Sequence, residues 1–86
     1  MSKVNLEAIR KILMASENDD KLQTMPESEF INLPFIEHFQ MDSLGFVVFQ
    51  MKVEKACNVS LIDIPSKEWD RVITIQDFLN LCEKYL

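Results

Sequence analysis

The residues with the clearest chemical potential are Asp42 and Ser43, which stand together immediately before an apolar segment. That segment contains Gly45, the only glycine in the chain. An aspartate or serine at such a boundary is typical of a helix N-cap, which contributes about 1 kcal/mol. A serine there is also a suitable attachment point for a phosphate group, because free N–H groups and the helix dipole stabilise an anion. Asp42 would then help a Mg²⁺-dependent transferase to position its reactants, because magnesium favours carboxylate and phosphate oxygens. The sequence allows both interpretations, a helix cap and an attachment point.

Other residue patterns that perform catalysis or bind metals are absent from the sequence. His38 is the only histidine, and no second ligand stands at metal-binding spacing from it. Ser43 is not part of a G-x-S-x-G motif, and the chain has no glycine-rich phosphate loop. We therefore predict no catalytic residue and no metal ligand. A hydrolase built on Ser43 and His38 is a weaker hypothesis than the two other functions considered below.

The composition is that of one small folded domain, predicted to span residues 1–86. Apolar residues make up 48% and charged residues 27%, which argues against disorder. The net charge of −5 disfavours nucleic acid as a partner, because phosphate binding requires a basic surface. No apolar run has the roughly 20 residues of a membrane helix, and charges interrupt the N-terminal stretch before a signal sequence could form. We therefore expect a cytoplasmic protein without membrane insertion.

The two cysteines, Cys57 and Cys82, have no metal-binding spacing and only one pairing is available to them. Free cysteines in cytosolic proteins are commonly buried, small apolar residues. We expect both to be free, and a stabilising disulfide is the alternative.

The pattern of apolar residues predicts an all-α bundle with three main helices and one short helix. Leu6, Ile9 and Leu13 recur at helical spacing and predict a first helix over residues 3–15. A long connection follows over residues 16–42, and it is expected to be either functional or packed by its own apolar residues. A short helical turn is expected after Pro26, since proline suits the first turn of a helix.

The second half of the chain predicts the remaining helices. The second main helix, of about four turns, begins near Ser43. Its expected core stripe comprises Phe46, Phe49, Val53 and Cys57. Adjacent valines in this segment also fit a strand, but its length and its later Lys and Glu residues favour a helix. A short helix is expected over Ser66–Trp69, and a Thr74–Asp77 capping box begins the last helix.

The segment around Ser43 resembles the attachment segment of acyl and peptidyl carrier proteins. The residues that fall on the family pattern in register are Phe35, Ile36, Glu37, Asp42, Ser43 and Leu44. The resemblance extends over nearly the whole chain. It implies a four-helix carrier fold and a 4′-phosphopantetheine arm from coenzyme A on Ser43, whose thiol holds an acyl or aminoacyl thioester.

The resemblance also implies partners and their contact residues. A phosphopantetheinyl transferase would recognise Asp42 and Leu44. An acyl- or aminoacyl-loading enzyme and later synthase or transferase enzymes would dock on the second helix of a monomeric, non-catalytic carrier. The expected docking residues are Val47, Val48, Met51, Glu54 and Lys55. The alternative for the apolar side face, which includes Leu44, is packing against the long connection.

Three departures from the family pattern bear on function. Gln40 stands where the family has glycine, and His38 stands where an acidic residue is usual. Glu54 is the only acid on the second helix, so partners that read an acidic helix find less to bind. A longer third region with Trp69 favours a polyketide, nonribosomal peptide or dedicated lipid pathway over housekeeping fatty-acid synthesis. The second hypothesis is an unmodified helical adaptor with the carrier fold.

Overall fold

The computed structural model describes residues 3–86, and within that range all regular structure is helical. The helices are α1 (Leu6–Glu17), α2 (Lys21–Thr24), α3 (Glu27–Phe30), α4 (Phe35–His38), α5 (Ser43–Cys57), α6 (Ser66–Trp69) and α7 (Ile75–Tyr85). The all-α prediction is confirmed, and α6 has the predicted bounds. Residues 1 and 2 of the predicted domain lie outside the described residues.

Helix α1 begins at Leu6, so the predicted start at residue 3 was wrong by three residues. Asn5 adopts an extended conformation, and its side chain accepts a hydrogen bond from the Ala8 N–H at 2.7 Å. This N-cap satisfies one of the free donors of the first turn and thereby fixes the start of the helix. At the other end, Asn18 takes the left-handed conformation that commonly terminates helices.

The core is formed by side chains from all three long helices and from the connections between them. Its fully buried members are Val4, Ile9, Leu13, Leu22, Phe30, Phe35, Val53, Ile75, Phe78 and Cys82. At its centre lies an aromatic cluster, which we define as Phe35, Phe46, Phe49, Trp69 and Phe78. The Phe35 ring lies 5.2 Å from Phe49 and 6.2 Å from Phe78, between centroids, so α4, α5 and α7 meet at this residue.

The connection between α1 and α5 is packed rather than open. It contains the three short helices α2, α3 and α4, of which only α3, after Pro26, was predicted. Leu22, Phe30 and Phe35 from this connection are each fully buried. The expectation that its own apolar residues pack it is therefore confirmed.

Arg10 on α1 holds the first part of this connection. Its guanidinium Nη1 donates hydrogen bonds to the carbonyl oxygens of Leu22 and Met25, the latter at 2.7 Å. The guanidinium carbon also lies 4.7 Å from the centre of the Phe30 ring, within the range of a cation–π contact. This role could not be predicted from the sequence, because the partners lie 12 and 15 residues away.

The segment between α3 and α4 is hydrogen-bonded to the start of α7. The N–H groups of Ile75 and Gln76 donate to the carbonyl oxygens of Leu33 and Ile31, at 3.2 and 2.8 Å. The predicted Thr74–Asp77 capping box is confirmed. The N–H of Thr74 is the largest cause of a lowered pKa at Asp77, and the N–H of Ile73 adds to it.

Both cysteines are free, as expected, with Cys57 half-buried and Cys82 buried. Burial raises the pKa of the Cys82 thiol to about 12, so it stays protonated and unreactive at neutral pH. No helix within residues 3–86 combines the length and apolar character needed to cross a membrane.

The role of Arg10 predicts a loss of stability on its removal. Arg10→Ala should lower the free energy of unfolding by about 2–3 kcal/mol, because two charge-assisted hydrogen bonds and a cation–π contact are lost. Lys11→Ala is the matched control, since Lys11 is its exposed neighbour on the same helix. Urea unfolding measures both, and equal effects of the two substitutions would contradict this role.

Candidate functional site

Asp42, and not Ser43, caps helix α5. Asp42 has an extended backbone, and its Oδ1 accepts a hydrogen bond from the Gly45 N–H at 2.7 Å. Ser43 is the first residue of the helix, is exposed, and its hydroxyl makes no hydrogen bond within the described chain. Helix capping therefore accounts for Asp42 and leaves the Ser43 hydroxyl without a structural role.

Gly45 allows the Asp42 carboxylate to lie close over the first turn of α5. A Cβ atom at position 45 would lie 3.2 Å from Asp42 Oδ1, closer than an ordinary van der Waals contact. The other carboxylate oxygen, Oδ2, makes no hydrogen bond to any described residue. Asp42 thus stabilises the helix with one oxygen and leaves the other accessible beside Ser43.

The start of α5 also presents two unused backbone donors. The N–H groups of Ser43 and Leu44 donate no hydrogen bond to any residue in the range 3–86. Unsatisfied N–H groups and the helix dipole favour a negative group at this end of a long helix. An anionic group on the Ser43 oxygen would lie beside these donors.

The turn that leads into Ser43 is a Schellman motif at the end of α4. The Met41 N–H donates to the Ile36 carbonyl at 2.8 Å, and the Gln40 N–H donates to the Glu37 carbonyl at 3.1 Å. Gln40 itself has φ 53°, in the left-handed region that glycine adopts with least strain. The chain therefore forms this turn with glutamine, whereas the carrier-protein pattern has glycine at this position.

Four of the five predicted docking residues on α5 are exposed, whereas Glu54 is hydrogen-bonded to another part of the chain. Leu44, Val47, Val48 and Met51 are 72%, 48%, 40% and 60% exposed, so the alternative that they pack against the connection was wrong. We call these four residues, together with the exposed Lys55, the α5 face. Glu54 lies apart from it in function, because its Oε2 accepts a hydrogen bond from the Leu61 N–H at 2.8 Å.

The arrangement required for a Ser–His hydrolase is not formed. His38 is exposed, and its ring packs edge-on against Phe39 with centroids 4.7 Å apart. It shares no hydrogen bond with Ser43 or with a carboxylate anywhere in the described part of the chain. That part also contains no group of three or more His, Cys, Asp or Glu side chains able to hold a metal ion.

Comparison with known proteins does not assign this site. No protein-family model and no solved structure matches the chain. The surroundings of Ser43 that bear on function are the Asp42 cap, the two free N–H groups and the α5 face.

The separate roles of the two polar residues predict separate effects on stability. Asp42→Ala should lower the free energy of unfolding by about 1 kcal/mol, because the N-cap is lost. Ser43→Ala should change it by less than about 0.5 kcal/mol, because the hydroxyl has no partner to lose. Urea unfolding of the two variants tests this, and a larger effect at Ser43 would show that the serine is the cap.

The left-handed conformation of Gln40 predicts a stabilising substitution. Gln40→Gly should raise the free energy of unfolding by about 1 kcal/mol, because glycine removes the strain of this conformation. Gln50→Gly is the matched control within α5 and should lower it by about 0.5–1 kcal/mol. A loss of stability in Gln40→Gly would contradict the left-handed turn.

Proposed function

We propose that this protein is an acyl or aminoacyl carrier that bears a 4′-phosphopantetheine arm on Ser43. The observation that supports this best is the unused Ser43 hydroxyl beside the Asp42 cap. Asp42 already supplies the N-cap, so the Ser43 hydroxyl is not needed for helix capping. Ser43 is instead exposed on the first turn of a fifteen-residue helix, where a transferase can reach it.

The residues around Ser43 fit the phosphate end of such an arm. The free N–H groups of Ser43 and Leu44 are suitable donors to a phosphodiester on the serine oxygen. The free Oδ2 of Asp42 is a suitable magnesium ligand during transfer of the arm from coenzyme A. When bound, the arm supplies a thiol that carries cargo as a thioester, and the protein itself catalyses nothing.

The arrangement of helices is compatible with a carrier fold. Ser43 begins the second of three long helices, and the short α6 stands between the second and the third. The Schellman turn at Gln40 supports the proposal, because this turn forms without the glycine of the carrier-protein pattern. We include the acyl-carrier-like arrangement, the monomeric state and a cytoplasmic location in the proposal.

The α5 face is the surface on which we propose that partner enzymes dock. Its exposed apolar side chains are suited to an apolar recess on a partner enzyme. The transferase would recognise Leu44 together with Asp42. Its one charged member, Lys55, makes no ion pair within residues 3–86. Glu54, the only acid of the helix, is bonded to the chain itself. These partners therefore differ from enzymes that bind an acidic helix. This difference favours a specialised pathway over housekeeping fatty-acid synthesis.

An unmodified adaptor is the second candidate function, and the α5 face supports it independently of any arm. Four large apolar side chains exposed on one helix indicate a protein-binding surface. Complementation of a strain lacking the gene separates the two functions. A carrier requires Ser43, so Ser43→Ala fails to complement. An adaptor tolerates Ser43→Ala and loses function in Met51→Glu.

In vitro transfer tests the carrier function directly. We expect incubation with coenzyme A, Mg²⁺ and a broad-specificity phosphopantetheinyl transferase to add the mass of one phosphopantetheine. Ser43→Ala should abolish the addition, and Ser66→Ala should preserve it. Ser66 is a matched control because it is also exposed and also begins a helix. An unchanged mass for the wild type, or modification of Ser43→Ala, would contradict the proposal.

A further inference from the structure

A groove of about 420 Å³ opens beside Ser43, between the end of α1, the α4–α5 turn and one side of α5. Its apolar lining includes Phe39, Met41, Val48 and Phe49, and its polar lining consists of Ser16, Glu17, Gln40, Asp42 and Lys52. We call it the α1–α5 groove. Its size lies within the range of small-molecule sites, and its mixed lining suits a ligand that has both hydrocarbon and amide groups.

We infer that the α1–α5 groove binds the pantetheine arm carried by Ser43 whenever no partner enzyme has withdrawn it. This inference rests on the proposed function and extends it. It assigns a resting place for the arm on the α1 side of the helix, with Val48 and Lys52 as residues that hold it.

The groove begins at the attachment point and has a matching length. Asp42 and Leu44, on either side of Ser43, both line it. Lys52 lies nine positions after Ser43, which is about 13 Å along a helix axis. From phosphorus to sulfur the arm has about thirteen bonds, or roughly 15 Å when extended at the spacing of a polypeptide backbone. An arm on Ser43 therefore reaches the Lys52 end.

The chemistry of the lining matches the chemistry of the arm. Pantetheine combines two amides with a dimethyl-substituted carbon and several methylene groups. Val48 and Phe49 offer apolar contacts to its hydrocarbon parts. The Lys52 ammonium donates one hydrogen bond to Ser16 Oγ, at 2.9 Å, and so keeps two donors for amide carbonyls.

The opposite side of α5 is occupied by packed aromatic rings. Trp69 of α6 lies 5.6 Å from both Phe46 and Phe78, and Phe46 lies 6.4 Å from Phe78, between centroids. An arm that entered between α5 and α6 would have to separate these rings. On the α1 side it meets an existing groove, so the α1 side is favoured.

Comparison of the apo and phosphopantetheinylated proteins by NMR tests the inference. Intact mass first establishes that Ser43 carries the arm. We then expect chemical-shift changes at the Val48 and Met41 methyl groups and at the Ser16 and Lys52 amides, with unchanged Trp69 indole signals. Contacts from the methyl groups of the arm to Val48 should be visible as nuclear Overhauser effects.

Matched variants locate the arm within the groove. Val48→Phe fills the groove and should abolish the arm-dependent shift changes at Met41 and Ser16, whereas Val47→Phe on the same helix, outside the groove lining, should preserve them. Lys52→Met should remove the changes at Ser16, whereas Lys55→Met should not. Unfolding curves establish that all four variants fold.

The outcomes separate this inference from the proposed function. An unmodified Ser43 overturns both. A modified Ser43 whose arm changes only adjacent signals, or changes the Trp69 signals instead, overturns the groove alone and leaves the carrier function standing. Equal effects of Val47→Phe and Val48→Phe likewise contradict binding in the groove.

Discussion

The packing of Phe35 in the aromatic cluster is the contact on which the position of Ser43 depends. Phe35 is fully buried against rings of α5 and α7. Only seven residues separate it from Ser43, and the Schellman turn at Gln40 fixes the path of most of them. Burial of a phenylalanine ring stabilises the fold by about 2–3 kcal/mol, so α4 and the turn after it are held against the bundle. Ser43 therefore occupies a defined position although the residues around it are exposed.

Helix α5 divides its surface between stability and interaction. Phe49 and Val53 are buried in the core, whereas Leu44 and Met51 on the other side are exposed. Keeping such apolar residues in water favours any association that covers them. The α1–α5 groove lies at the border between these two sides, with Val48 belonging to both the face and the groove. If the proposed function is correct, a partner enzyme that covers Val48 would therefore compete with the arm for the same side chain.

Local patterns predicted the features that depend on local physics. The all-α class and the helix at Ser66–Trp69 follow from apolar periodicity, a preceding proline and the scarcity of glycine. The Thr74–Asp77 capping box is a contact between residues three positions apart, so it can be recognised from the chain alone. The attachment role of Ser43 came from a resemblance and stays a prediction.

Features set by tertiary contacts could not be predicted in this way. Helices α2 and α4 have four residues each, too few to show a period. The hydrogen bonds of Arg10 and Glu54 join residues that only the folded chain brings together. Gln40 enters the left-handed region because the packed helices on either side require a turn there, against the preference of a glutamine.

The most direct test of whether Ser43 bears a phosphopantetheine is its chemical state in the protein purified from the cells that produce it. Intact mass and peptide mapping would establish whether the peptide containing Ser43 bears a phosphopantetheine, with or without cargo. We expect this peptide to carry the arm on a substantial fraction of molecules. A Ser43 that is unmodified in every molecule, in cells that modify other carriers, would contradict it.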